Sequence, residues 1–251
     1  GMIPFHKWLP YAHPASPSPI SALMSGVMIK VAIYGLLRFL FIFPEHKLWW
    51  GVIILAFGTI SAFLGVIYAL KEHDLKRLLA YHSIENIGII LMGIGLYIIF
   101  GAFELRSIAI LSLAAALFHT LNHALFKSLL FLSAGSVVYA THTKNIEEMG
   151  GLIKKMPYTA MLFLIGAVSI SALPPFNGFV SELMLFQAFF QLGSIPIPLL
   201  KGFLLLSLSL LALTSALAAA CFVKAFGTVF LALPRSRESK HAVEVPKPMI
   251  F

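Results

Sequence analysis

The chain has one cysteine in 251 residues, Cys221, and it lies in an apolar run. A single thiol there allows no disulfide within the chain and no cysteine-ligated cluster. Charge is also scarce, with 11% Asp, Glu, Lys and Arg against about 25% in an average soluble domain. No GxGxxG, no P-loop, no CxxC and no haem-type CxxCH occurs. The chain therefore carries no sequence signal for binding nucleotide or moving electrons, and neither a cofactor nor catalytic chemistry of its own is expected. Its start lacks the basic region and small-residue cleavage site of a signal peptide.

What is abundant is apolar. Hydrophobic residues make up 59% of the chain and the mean hydropathy is +0.93. Several runs exceed the roughly 18–20 residues that span a bilayer, which points to an all-α polytopic membrane protein. A β-barrel would show short alternating segments instead. Six apolar segments are expected, at 18–42, 47–70, 80–100, 107–139, 157–190 and 203–232. Proline-rich residues 1–17 read as the end of a helix plus a loop, and polar residues 233–251 as a tail outside the bilayer.

Two segments are too long for one straight span. A 33-residue helix at 107–139 would reach about 50 Å against a hydrocarbon core of about 30 Å, so a tilt or a bend near Lys127 is expected. Segment 157–190 contains SALPPFNGF, residues 171–179. Pro174 and Pro175 remove two backbone donors and Gly178 loosens the chain, so the helix should break there. Such breaks at membrane depth are tolerated where protein or a wet cavity receives the freed polar groups.

The formal charge of +8 is not a nucleic-acid footprint, because the bases fall mostly between apolar runs. Eleven Lys and Arg lie in 1–17, 71–79, 140–156 and 233–251, against three or four at the opposite ends of the segments. This asymmetry assigns the first side, with both chain ends, to the cytoplasm. An internal repeat is also visible: SALMSGVMIK at 21–30 aligns with SALAAACFVK at 215–224, an offset of 194. Upstream of each, MIPFHKWLP at 2–10 resembles LPPFNGFVS at 173–181. Repeats with broken helices are a build used by secondary transporters.

Lys30, Glu85, His119, His123, Lys127, Glu182 and Lys224 lie inside apolar segments, with His82 near the end of one. Each ion at the bilayer centre costs at least ~2.5–3.5 kcal/mol, so these groups should face one another or water. Taken singly, a histidine could be a satisfied core residue and a lysine could snorkel. As a set they suit proton movement, since imidazole exchanges protons near neutral pH. In FHTLNHALFKSLL, residues 118–130, His119, His123 and Lys127 recur every four residues and form one stripe on a helix, rising about 6 Å per step. Steps of that length need bridging water. The spacing also matches an HxxxH metal pair, but no glutamate follows the first histidine and no acidic third ligand is near.

GMIPFHKWLPYAHPASPSPISALMSGVMIKVAIYGLLR, DLKRLLAYHSIENIG, FHTLNHALFKSLLFLSAGSV, MGGLIKKMP and SALPPFNGFVSE together resemble the antiporter-like proton-pumping subunits. These occur in complex I, in Mrp cation/proton antiporters and in membrane-bound hydrogenases, and the wording HSIENIG and NGFVSE is most similar to the large membrane subunit of hydrogenase-4 and formate hydrogenlyase. The resemblance implies two inverted five-helix repeats, each with one broken helix. Residues 1–42 would end the first repeat, 43–235 would be the second, and 236–251 a tail or truncated loop. It implies a proton path through Lys30, His119, His123, Lys127 and Glu182, with Glu85 and Lys224 on it, and a helix break at Pro174, Pro175 and Gly178. The family's glutamate–lysine pair belongs to a region before Gly1, so this sequence reads as a fragment. The partners implied are other membrane subunits, a peripheral redox module, the inner-membrane bilayer and protons, with Na⁺ exchange open. An Mrp-type antiporter unit without a redox partner and a purely structural anchor are the rival readings.

Overall fold

The computed structural model describes residues 1–43, 47–231 and 233–249. Their regular structure is helical. A short helix, α1 (Trp8–Ala15), leads through Ser16–Pro17 into α2 (Ser18–Leu23), a π turn at Met24–Met28 and α3 (Ile29–Ile42). Then follow α4 (Leu48–Lys71), α5 (Leu75–Ala102), α6 (Arg106–Thr141), α7 (Pro157–Ile170), α8 (Asn177–Phe189), α9 (Pro198–Phe226) with a π turn at Gly227–Leu231, and α10 (Arg237–His241). Among the described residues, five helical stretches are long and apolar enough to cross a membrane, and α7 is a shorter apolar helix. The link 44–46 and the expected end of the last span at 232 lie outside the described residues.

Local chemistry sets the ends. The Asp74 carboxylate accepts from the Arg77 N–H at 2.9 Å, so α5 starts five residues earlier than hydropathy indicates. Pro157 and Pro198 sit in the first turns of α7 and α9, where a missing N–H is harmless. The expected 157–190 segment is two helices, interrupted at 171–176. The expected loop within 1–17 is helical from Trp8, with Pro14 in its last turn. Helix α6 is continuous through Lys127 for 36 residues, about 54 Å at 1.5 Å per residue.

Helix α5 is the hub and is almost wholly buried. It packs closely on α4 because glycines face backbone: a Cβ on Gly65 would lie 2.7 Å from the Glu85 nitrogen, and one on Gly95 2.7 Å from that of Leu55. Its other flank packs on α6, which also receives α2, α7 and α8. The four basic segments meet at one end. Lys76 donates to the Ser16 carbonyl at 2.9 Å, Lys144 donates to that of Pro14, the Leu75 N–H reaches the Lys144 carbonyl at 2.9 Å, and Ser239 reaches the Glu148 carbonyl at 3.1 Å. The polar tail folds back onto this end, where Glu244 accepts from Thr159.

Candidate functional site: a buried line of ionisable groups

The groups singled out in the sequence converge on the surfaces where α5 and α6 meet α2–α3 on one side and α8–α9 on the other. The first cluster begins at Lys30, just past the π turn, an irregularity often found at functional sites. The Lys30 ammonium donates to the Ser25 carbonyl inside that turn. The Ser25 and Ser83 hydroxyls are 2.8 Å apart, and Ser83 also donates to the Leu79 carbonyl at 3.1 Å. With Ser83's proton on that carbonyl, Ser25 is the donor to Ser83. The same Leu79 oxygen receives the Lys127 ammonium at 2.5 Å. Lys30 and Lys127, on different helices, thus each donate to a backbone carbonyl, of Ser25 and of Leu79, and the Ser25 and Ser83 hydroxyls lie between them.

Lys127 is fully buried and its ammonium lies 5.8 Å from the centroid of the Phe131 ring. It is within electrostatic reach of Glu85. Glu85 in turn meets the Nδ1 of His82, three residues back on α5, and both side chains are buried.

The second cluster lies at the helix break. His119 Nε2 is 3.1 Å from Asn86 Oδ1 on α5, and His119 Nδ1 is 2.9 Å from Ser181 Oγ on α8. Asn122 Nδ2 donates to the Asn177 carbonyl at 2.9 Å and to Ser181 Oγ at 3.2 Å. The Asn177 amide returns a bond to Asn122 Oδ1 at 3.2 Å. The start of α8 is therefore held by α6 side chains. Glu182, next after Ser181, is buried and receives the Ser215 hydroxyl of α9 at 2.6 Å. Between the clusters stands His123, fully buried with its ring centroid 5.5 Å from that of Phe126, and neither of its nitrogens meets a protein partner.

The break has a steric basis. A Cβ on Gly178 would collide with the Ser169 carbonyl oxygen of α7, so the two half-helices touch through backbone. Ala172 takes a left-handed φ of 50° in the interruption, and Leu173, Pro174 and Pro175 are exposed on its outer edge. The Pro174–Pro175 bond is cis, as is Ile3–Pro4 before α1.

Six of the seven ionisable residues take part in these two clusters or stand between them. Lys224 differs: its ammonium bonds the Leu70 carbonyl at 3.1 Å, in the last turn of α4. Sequence reasoning missed Ser25, Ser83, Asn86, Asn122, Ser181 and Ser215, which carry the hydrogen bonds between the ions. It also missed His13, buried on α1 and stacked at 4.5 Å on Phe131. The signal of the first six was present, as Ser and Asn inside apolar spans, whereas His13 lies in the proline-rich stretch before them. As for the HxxxH pair, both His119 nitrogens are engaged by Asn86 and Ser181, and no group of three His, Cys, Asp or Glu gathers among the described residues.

Long apolar helices, a helix broken at a double proline and a line of buried Lys, His and Glu define a class: polytopic membrane proteins with ionisable groups in their interior. The family described as NADH:quinone oxidoreductase/Mrp antiporter, TM, matches residues 1–209, and the chain belongs to it. It is 48% identical over 253 residues to hydrogenase-4 component B of Escherichia coli K12, covering 100% of this chain and 38% of that protein. It is 44% identical over 249 residues to formate hydrogenlyase subunit 3 of the same organism, covering 98% and 40%. The chain thus spans about two-fifths of the length of these relatives. Among solved structures, that of the Mrp complex from Dietzia sp. DQ12-45-1b superposes with a TM-score of 0.78 at 26% identity, over 98% of this chain and 44% of that one.

Proposed function

We propose that the chain is part of a proton-translocating subunit of a multi-subunit membrane complex driven by a redox partner. The observation that carries this is the set of buried polar groups between Lys30 and Lys127 (the Ser25 carbonyl and hydroxyl, the Ser83 hydroxyl and the Leu79 carbonyl), followed along α6 by His123 and His119, which meets Ser181 beside Glu182 at the helix break. Lys30 receives charge from the preceding part of the longer protein. Lys127, with Glu85 as counter-charge, passes it to His123 and His119, and Glu182 delivers it outward. Successive groups on α6 are about 6 Å apart along the axis, so water carries the proton between them. Lys224, on the carbonyl end of α4, is assigned a capping role.

The reading places the basic end of the bundle in the cytoplasm, as the Lys and Arg distribution favours. It also takes residues 43–235 as the second of two repeats. In support, each Pro-Phe segment precedes a helix to which the matching serine bonds: Ser21 donates to the His13 carbonyl on α1 at 2.9 Å, and Ser215 donates to Glu182 on α8 at 2.6 Å.

The test uses the full-length protein in its complex. Lys127→Ala and Glu182→Gln should each abolish proton translocation in inverted vesicles while electron transfer by the partner persists or uncouples. Normal proton stoichiometry in both variants overturns the assignment. The likeness to the Mrp complex supports a second reading, a cation/proton antiporter unit without a redox partner. Proton movement that requires added Na⁺ and no electron donor would favour it.

A further inference from the structure

Ser181 lies where the charge of His119 meets the helix break, and its hydrogen bonds define two alternative proton positions. The Asn86 amide nitrogen donates to the His82 carbonyl at 2.8 Å, so its oxygen is the atom facing His119 Nε2. A carbonyl oxygen only accepts, hence Nε2 carries a proton in either charge state of the ring. Nδ1 is then the site that gains or loses one. It faces Ser181 Oγ at 2.9 Å, and Ser181 Oγ also has the Gly178 carbonyl at 3.0 Å. The Asn122 amide donates to Oγ from a third direction.

These partners give two complete sets of bonds without moving a heavy atom. With His119 neutral, the Ser181 hydroxyl donates to Nδ1. With His119 protonated, Nδ1–H donates to Oγ and the hydroxyl proton points to the Gly178 carbonyl instead. Asn122 holds the oxygen in both. A hydroxyl has one proton and can accept two more bonds, so it donates once in either set, and accepts one bond with His119 neutral and two with His119 protonated.

We propose that Ser181 is the positioning residue that transmits the charge of His119 to the first turn of α8. This deepens, and rests on, the reading of His119 as a relay group. In each cycle the hydroxyl turns from Nδ1 to the Gly178 carbonyl, the arriving proton takes the vacated Nδ1 lone pair, and on its departure the hydroxyl turns back. The bond to the Gly178 carbonyl is thus made only while His119 is charged. It falls on the residue packed against α7 backbone and one turn from Glu182. The other cations acting on this ring and its neighbour His123 are Lys30 and Lys127. A neutral-to-charged change at His119 therefore reaches the first turn of α8, one turn from Glu182, through one hydroxyl and one carbonyl, with the hydroxyl proton as the two-position element.

The experiment compares Ser181→Ala, Ser181→Cys, Ser181→Thr and His119→Ala in the full-length protein within its complex. It reads assembly on native gels and proton translocation by inverted vesicles across a pH series. Ser181→Ala and Ser181→Cys should assemble normally, slow translocation about tenfold, the equivalent of one hydrogen bond to a charged group, and move the pH profile. Ser181→Thr, which keeps the hydroxyl, should stay within about twofold of the parent. His119→Ala should be inactive. Parent-like rates and pH profile in Ser181→Cys, with His119→Ala inactive, overturn the role of the hydroxyl alone. Parent-like rates in His119→Ala overturn the relay reading beneath it. Should the threonine variant fail to assemble, the near-isosteric cysteine variant decides the matter by itself.

Discussion

Gly65→Ala probes whether the spacing of α4 and α5 sets the site. The new Cβ would stand 2.7 Å from the Glu85 nitrogen and 3.0 Å from its Cα, both backbone atoms on a buried helix that cannot swing aside. Ordinary contact begins near 3.4 Å, so the helices must part by about 0.7 Å at the residue that faces Lys127. A separation of that size forfeits a quarter to a half of the dispersion energy of the atoms involved, and overpacking of this kind costs about 1–3 kcal/mol. Replacing a helical glycine by alanine also carries a propensity gain of up to about 1 kcal/mol. Gly35→Ala supplies the control, because a Cβ there meets nothing within 4 Å. The difference between the two variants removes the propensity contribution and should be about 1–3 kcal/mol, roughly a 5- to 150-fold change in the unfolding equilibrium. Reversible unfolding of the purified full-length protein by SDS titration, followed by circular dichroism, measures it, with proton translocation assayed in parallel. Equal stability of the two variants to within about 0.5 kcal/mol would refute the argument that glycine contact fixes this interface.

Two further substitutions separate structural from conducting roles. Lys224→Gln keeps a donor for the Leu70 carbonyl, so it should assemble and translocate protons normally, whereas Lys224→Met should lower stability by about 1–2 kcal/mol; loss of translocation in a well-assembled Lys224→Gln would return that lysine to the conducting path. Gly178→Ala sets a methyl against the Ser169 carbonyl and should cost about 1–3 kcal/mol, seen as reduced assembled protein on native gels; undiminished assembly would show that the half-helices can part without consequence.

Several features of the fold were legible along the chain because they are local. Pro157 marks a helix start through proline chemistry that involves only a few neighbouring residues. The interruption at 171–176 follows from Pro174 and Pro175, which cannot donate to a helix wherever they lie. The stripe of His119, His123 and Lys127 follows from four-residue spacing alone. Less legible was residue 75 as the start of α5, since Lys76 and Arg77 depress hydropathy while still helical, and the short α1 was hidden by its prolines.

By itself, then, the sequence determined the membrane class, the place of the break and which titratable groups stand inside apolar segments. Only the tertiary structure decided what those groups touch. It put both His119 nitrogens on different helices, Lys127 on the Leu79 carbonyl, Glu182 on Ser215 and Lys224 on the end of α4. The physical reason lies in the solvent. In a soluble helix the polar face marks the outside, whereas here lipid and protein interior are equally apolar, and hydropathy does not say which face of α5, α6 or α8 meets a neighbour. That choice rests on close packing of glycines and on single polar partners: Asn86 and Ser181, 33 and 62 residues from His119, and the Leu79 carbonyl, 48 residues from Lys127.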